Sequence, residues 1–117
     1  MKAAYLKAKN QFEIREVEVR EPEAGEVLVG VKACGFCGHD KILAGYAGEE
    51  WQPFGHEFAG VVEKVGHGVK NVKVGDRVVV ETSIFDPISD YARNGRPELD
   101  TKGPNYMTME HTGMGFA

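Results

Sequence analysis

The sequence predicts an all-β barrel or sandwich, and three observations predict it. Short runs of β-branched and other apolar residues recur along the chain, glycines punctuate them, and almost no stretch carries the apolar period of an amphipathic helix.

Residues 2–9 read as a first strand with Asn10-Gln11 as its turn, and residues 12–20 as a second. Within Arg15-Glu16-Val17-Glu18-Val19-Arg20 the period is two, so this strand has one wet face and its glutamates are that face. Pro22 to Gly25 breaks the pattern. Residues 26–34 then form a nearly continuous apolar run, which predicts a more buried strand that delivers Cys37 at its far end. Asp40-Lys41-Ile42-Leu43-Ala44 suits one or two helical turns, and a loop holding Trp51 and Pro53 follows. Trp51 and Phe54 are expected to pack rather than to touch a substrate, because aromatic residues mostly carry burial. Residues 58–65 predict a strand, Gly66-His67-Gly68 a turn with an exposed histidine, and residues 69–80 a strand pair broken at Gly75-Asp76.

A chain of 117 residues is expected to make one domain around one core. A formal charge of -4 and no basic patch argue against nucleic acid or an anionic membrane as partner, so the expected ligand is small. The opening Met1-Lys2-Ala3-Ala4-Tyr5 lacks the apolar run of a signal peptide, and no segment approaches the roughly 18 apolar residues that span a bilayer. Two cysteines kept as thiols fit a reducing cytoplasm, the expected location.

Chemistry concentrates in Cys34-Gly35-Phe36-Cys37-Gly38-His39-Asp40 and Gly55-His56-Glu57-Phe58-Ala59-Gly60. Taken alone, Cys-x-x-Cys also describes a redox dithiol or half of a zinc ribbon, and a histidine beside a glutamate is ordinarily a surface pair. A ribbon needs a second cysteine pair, and Cys34 and Cys37 are the only cysteines. A thioredoxin-like motif should carry few glycines, whereas here glycine follows each cysteine. Zinc accepts Cys sulfur, His nitrogen and carboxylate oxygen, and catalytic sites leave one position open, so Cys37, His56 and Glu57 together read as a catalytic zinc site.

With those two motifs and Val74-Gly75-Asp76-Arg77-Val78, the chain resembles the amino-terminal, GroES-like catalytic domain of the zinc-dependent medium-chain alcohol and polyol dehydrogenases over almost its whole length. The resemblance implies a mainly β, GroES-like, partly open barrel with short helices, over residues 1–117. It implies that Cys37 and His56 are zinc ligands, that Glu57 lies against the metal and ligates it, that Asp40 orients the histidine ligand, and that Cys34 is not a ligand. The implied chemistry is a zinc-bound alkoxide of an alcohol or polyol that gives a hydride to NAD or NADP. The full-length protein is expected to be a homo-oligomer.

Three departures qualify the likeness. His39 stands where the family usually places the Ser or Thr that begins its proton relay; it either relays protons itself or only packs near the site. The lobe 81–100 has Asp86, Ser89, Ala92 and Asp100 where many members carry four cysteines around a structural zinc, so no second zinc is expected there. No Gly-x-Gly-x-x-Gly fingerprint occurs, so the family's Rossmann domain is expected to be absent from this chain, which reads as a catalytic domain truncated at its C-terminal end and inactive alone. The competing expectation is a non-catalytic zinc-binding or interaction module with the same barrel.

Overall fold

The computed structural model describes residues 1–46, 48–82, 85–100 and 115–117. It contains two antiparallel three-stranded sheets. The first has β1 (Lys2–Lys7) between β2 (Gln11–Glu16) and the short β4 (Gln52–Pro53); the second has β5 (Phe58–Val65) between β3 (Val27–Cys34) and β6 (Arg77–Val79). Helix α1 (Gly38–Tyr46) lies between β3 and β4, and α2 (Asp90–Arg93) and a 3-10 turn at Pro97–Leu99 follow β6. Mainly strands, open sheets and few short helices agree with the fold class read from the sequence.

The core gathers on the first sheet. Ala3, Tyr5 and Leu6 of β1 are buried with Ala44 of α1 and with Phe54, while Val62 is the buried apolar residue of the second sheet. The β1–β2 turn reverses through Lys9 and Asn10, both at positive φ, and the Asn10 N–H donates to the Ala44 carbonyl at 2.7 Å, docking the helix on the turn. Trp51 is flanked by the Lys7 ammonium at 4.8 Å and the Arg15 guanidinium at 5.0 Å, and Phe54 packs on Phe12 and Phe116, so both aromatics serve packing as expected.

Two details of the second sheet differ from the sequence reading. β3 is half-buried rather than core, because its valines border an open cavity of about 730 Å³ shared with Val62, Val72 and Val80. None of Cys37, His39, Asp40 and His56 lines that cavity. Residues 69–74 are not a strand: the Asp76 carboxylate accepts the Lys73 N–H at 3.0 Å and folds the segment into a turn, and pairing with β5 begins only at Gly75, whose N–H reaches the Val62 carbonyl at 2.8 Å.

β3 and β5 approach closely at Gly60, where a Cβ would stand 2.5 Å from the Gly30 carbonyl oxygen. Backbone cannot yield there as a flexible side chain could. Gly60→Ala is therefore expected to destabilise the chain by about 1–3 kcal/mol, as overpacking does, read as a lower urea midpoint with an unchanged slope.

In the lobe, the four positions that align with cysteines are joined by hydrogen bonds. The Asp86 N–H donates to the Asp100 carboxylate at 2.6 Å, the Ser89 N–H to the Asp86 carbonyl at 3.0 Å, and the Ala92 N–H to the Ser89 hydroxyl, the N-cap of α2, at 3.2 Å. Residues 83 and 84 of this lobe lie outside the described residues.

Candidate functional site

The site forms where the chain passes from one sheet to the other. β4 ends at Pro53 and β5 begins at Phe58, so Phe54-Gly55-His56-Glu57 is the crossover between sheets. In the β3–β5 ladder Cys34 pairs with Phe58, and the Gly35 N–H donates to the Glu57 carbonyl at 2.8 Å. That register sets the residues just after β3 beside those just before β5. Cys37 and His56, far apart in sequence, thereby meet at one end of one sheet.

Gly55 makes the turn possible. Its φ of +97° suits glycine, and a Cβ there would stand 2.7 Å from the Phe116 ring. The Gly115 N–H closes on the Gly55 carbonyl at 3.0 Å, and the Phe116 ring rests on Phe54 with centroids 4.8 Å apart. Sequence reasoning missed Gly115 and Phe116 as supports of the site, and no motif signals them.

Helix α1 begins at the site with a reciprocal cap. Cys37 occupies the N-cap position and its sulfur accepts the His39 N–H at 3.4 Å, while the Asp40 carboxylate reaches back to the Cys37 N–H at 2.8 Å. This is a capping box with sulfur in the hydroxyl's role.

Asp40 is wholly buried and His56 is 3 % exposed. Asp40 Oδ1 and His56 Nδ1 lie 3.3 Å apart, close enough to attract but misaligned for a hydrogen bond, so both atoms are buried without a hydrogen-bond partner among the described residues. One carboxylate thus holds the cysteine loop with one oxygen and faces the histidine ring with the other.

Cys37, His39 and His56 offer sulfur and ring nitrogens that all lie within 4.8 Å of one another. The Cys37 sulfur is 3.7 Å from His39 Nδ1. Cys37 is half-buried and His39 is exposed, which leaves one side of the group open to solvent. Glu57 does not join this group. Its carboxylate lies against Gly35, where a Cβ would be 3.1 Å from it. Cys34 also stands apart: burial first, and then the charge of Asp40, pushes its thiol pKa up, so it stays protonated at neutral pH. Both cysteines are free thiols.

The sequence model of the alcohol dehydrogenase GroES-like domain matches residues 23–117. Starvation-sensing protein RspB of Escherichia coli (strain K12) is 43% identical over 88 residues, 69% of this chain and 25% of that protein. (R,R)-butanediol dehydrogenase of Bacillus subtilis (strain 168) is 42% identical over 97 residues, 69% of this chain and 28% of that protein. Among solved structures, the alcohol dehydrogenase rspB of E. coli CFT073, complexed with NADH, superimposes with a TM-score of 0.85 at 33% identity, over 97% of this chain and 34% of that one. The chain therefore spans about a quarter of the length of these curated relatives and about a third of the solved one.

Proposed function

The chain belongs to the alcohol dehydrogenase GroES-like domain family, and from that premise we propose that it is the metal- and substrate-holding part of a zinc-dependent, NAD(P)-linked alcohol or polyol oxidoreductase. The observation that carries the reading is the Cys37, His39 and His56 group within 4.8 Å, backed by the buried Asp40 carboxylate.

The donor set suits zinc, which takes thiolate sulfur and imidazole nitrogen in tetrahedral sites. The unpartnered His56 Nδ1 beside Asp40 Oδ1 supports the fit: a carboxylate on one ring nitrogen holds the proton there and leaves the other as the donor. Bound zinc supplies Lewis acidity that eases loss of the alcohol proton near neutral pH. Cys37 and His56 hold the ion, Asp40 orients His56 and fixes the Cys37 loop, and the solvent-exposed side of the group admits the alcohol. The family's dinucleotide fingerprint is not in these 117 residues, and the cofactor of the NADH-complexed relative supports a nicotinamide as hydride acceptor. No helix among the described residues is long and apolar enough to cross a membrane, and free thiols suit the cytoplasm.

The test is metal content and turnover of the 117-residue chain. It is expected to hold about one zinc and no second one in the lobe, because two carboxylates, a hydroxyl and a methyl make no tight zinc cage. With NAD or NADP it is expected to show no alcohol oxidation, since holding the nicotinamide against the substrate carbon is worth roughly 7–11 kcal/mol in favourable cases. A chain that retains no zinc overturns the reading, and turnover by the purified chain overturns the assignment of cofactor binding to residues outside it.

A further inference from the structure

We propose that His39 is itself a metal ligand in this chain, so that the donors are the Cys37 sulfur and the His39 and His56 imidazoles, with Glu57 outside the set. The proposal rests on the zinc reading above and specifies its third ligand.

Distance carries the argument. In a tetrahedral site with Zn–S near 2.3 Å and Zn–N near 2.0–2.1 Å, a sulfur and a nitrogen sharing the ion stand about 3.6 Å apart. The Cys37 sulfur and His39 Nδ1 are 3.7 Å apart. That spacing is already the edge of a coordination tetrahedron.

The backbone sets it. The His39 N–H donates to the same sulfur at 3.4 Å, so the main chain and ring of one residue face one acceptor, and the start of α1 fixes both. The His39 and His56 rings have centroids 6.4 Å apart and are tilted by 57°, and each brings a ring nitrogen within 4.8 Å of the Cys37 sulfur. His39 is exposed, and a small rotation to complete coordination displaces no packed neighbour. Glu57 has the opposite problem: its carboxylate sits against Gly35 and is not among the donors that gather within 4.8 Å. His39 thus replaces the hydroxyl of the relay with a ligand, and its Nδ1 is then committed to the ion.

The experiment loads the purified chain with Zn²⁺ and with Co²⁺, and reads the dissociation constant by chelator competition and the visible cobalt spectrum. His39→Ala is expected to weaken both ions by about 100-fold or more, since losing even a partner behind a ligand costs about 10–100-fold. It should shift the cobalt d–d bands while the thiolate-to-cobalt band of Cys37 persists. His39→Asp, which restores a donor, should recover most of the affinity, and Glu57→Gln should leave affinity and spectrum unchanged. The urea midpoint of the metal-free chain should be the same in His39→Ala and the parent. Parent-like affinity and spectrum in His39→Ala, while Cys37→Ser and His56→Ala lose the metal, overturns the ligand role and leaves the zinc reading intact. Loss of metal in Glu57→Gln overturns it likewise, and parent-like binding in Cys37→Ser as well overturns both.

Discussion

Cys37→Ser is expected to abolish stoichiometric zinc binding, with affinity down by well over 100-fold, because a serine hydroxyl does not replace a thiolate as a tight zinc ligand and loss of an outer partner alone costs about 10–100-fold. The substitution separates metal from fold. Cys37 also caps α1 through its sulfur, and serine is a good N-cap that keeps this hydrogen bond. The metal-free Cys37→Ser chain should therefore unfold at the same urea concentration as the metal-free parent, or slightly higher. His56→Ala should lose zinc to a similar extent, but with lower stability, since it empties a position only 3 % exposed. Chelator competition gives the affinities and urea unfolding the stabilities. Parent-like zinc affinity in either variant contradicts the assignment.

Asp40→Ala is expected to act on both quantities at once. The side chain is wholly buried and joins the Cys37 loop to the His56 ring. Removing it leaves the Cys37 N–H and the His56 ring without that carboxylate, at about 1–3 kcal/mol for a buried polar group left unpaired. Zinc affinity should fall by about 10–100-fold, because the histidine loses the carboxylate that sets its orientation and basicity. Asp40→Asn separates the parts: its side-chain oxygen can still accept from Cys37, so stability should stay near that of the parent, while the lost charge still weakens zinc binding. Equal zinc affinity in the parent and both variants would show that Asp40 braces the helix and nothing more.

How much of this was legible in the sequence depends on whether the determining force was local. β5 reads directly because a mostly apolar, valine-rich run between Gly55 and Gly66 marks a strand and its ends. The turn in place of a strand at residues 69–74 did not read, because a single Asp76 side chain captures the Lys73 N–H, and apolar period carries no record of that choice. The half-exposure of β3 was likewise hidden: an apolar run states what can be buried, and the neighbouring elements decide whether it is. At the site, Cys37, Asp40 and His56 were legible as chemistry-bearing types at suggestive spacings. The juxtaposition of His39 with Cys37 was not, since it comes from how α1 is capped. Nor was the direction of Glu57, whose carboxylate lies against Gly35 just after β3. Gly115 and Phe116, which close over Gly55, come from a distant part of the chain that carries no pattern pointing there.

In the proposed site Cys37 and imidazole nitrogens hold a zinc ion at the junction of the two sheets. Zinc-edge X-ray absorption of the chain loaded with one equivalent counts those ligand atoms. The expected spectrum has one sulfur at about 2.3 Å and nitrogen or oxygen neighbours, imidazoles among them, at about 2.0–2.1 Å. A first shell made only of nitrogen and oxygen, with the chain folded and Cys37 reduced, would contradict it.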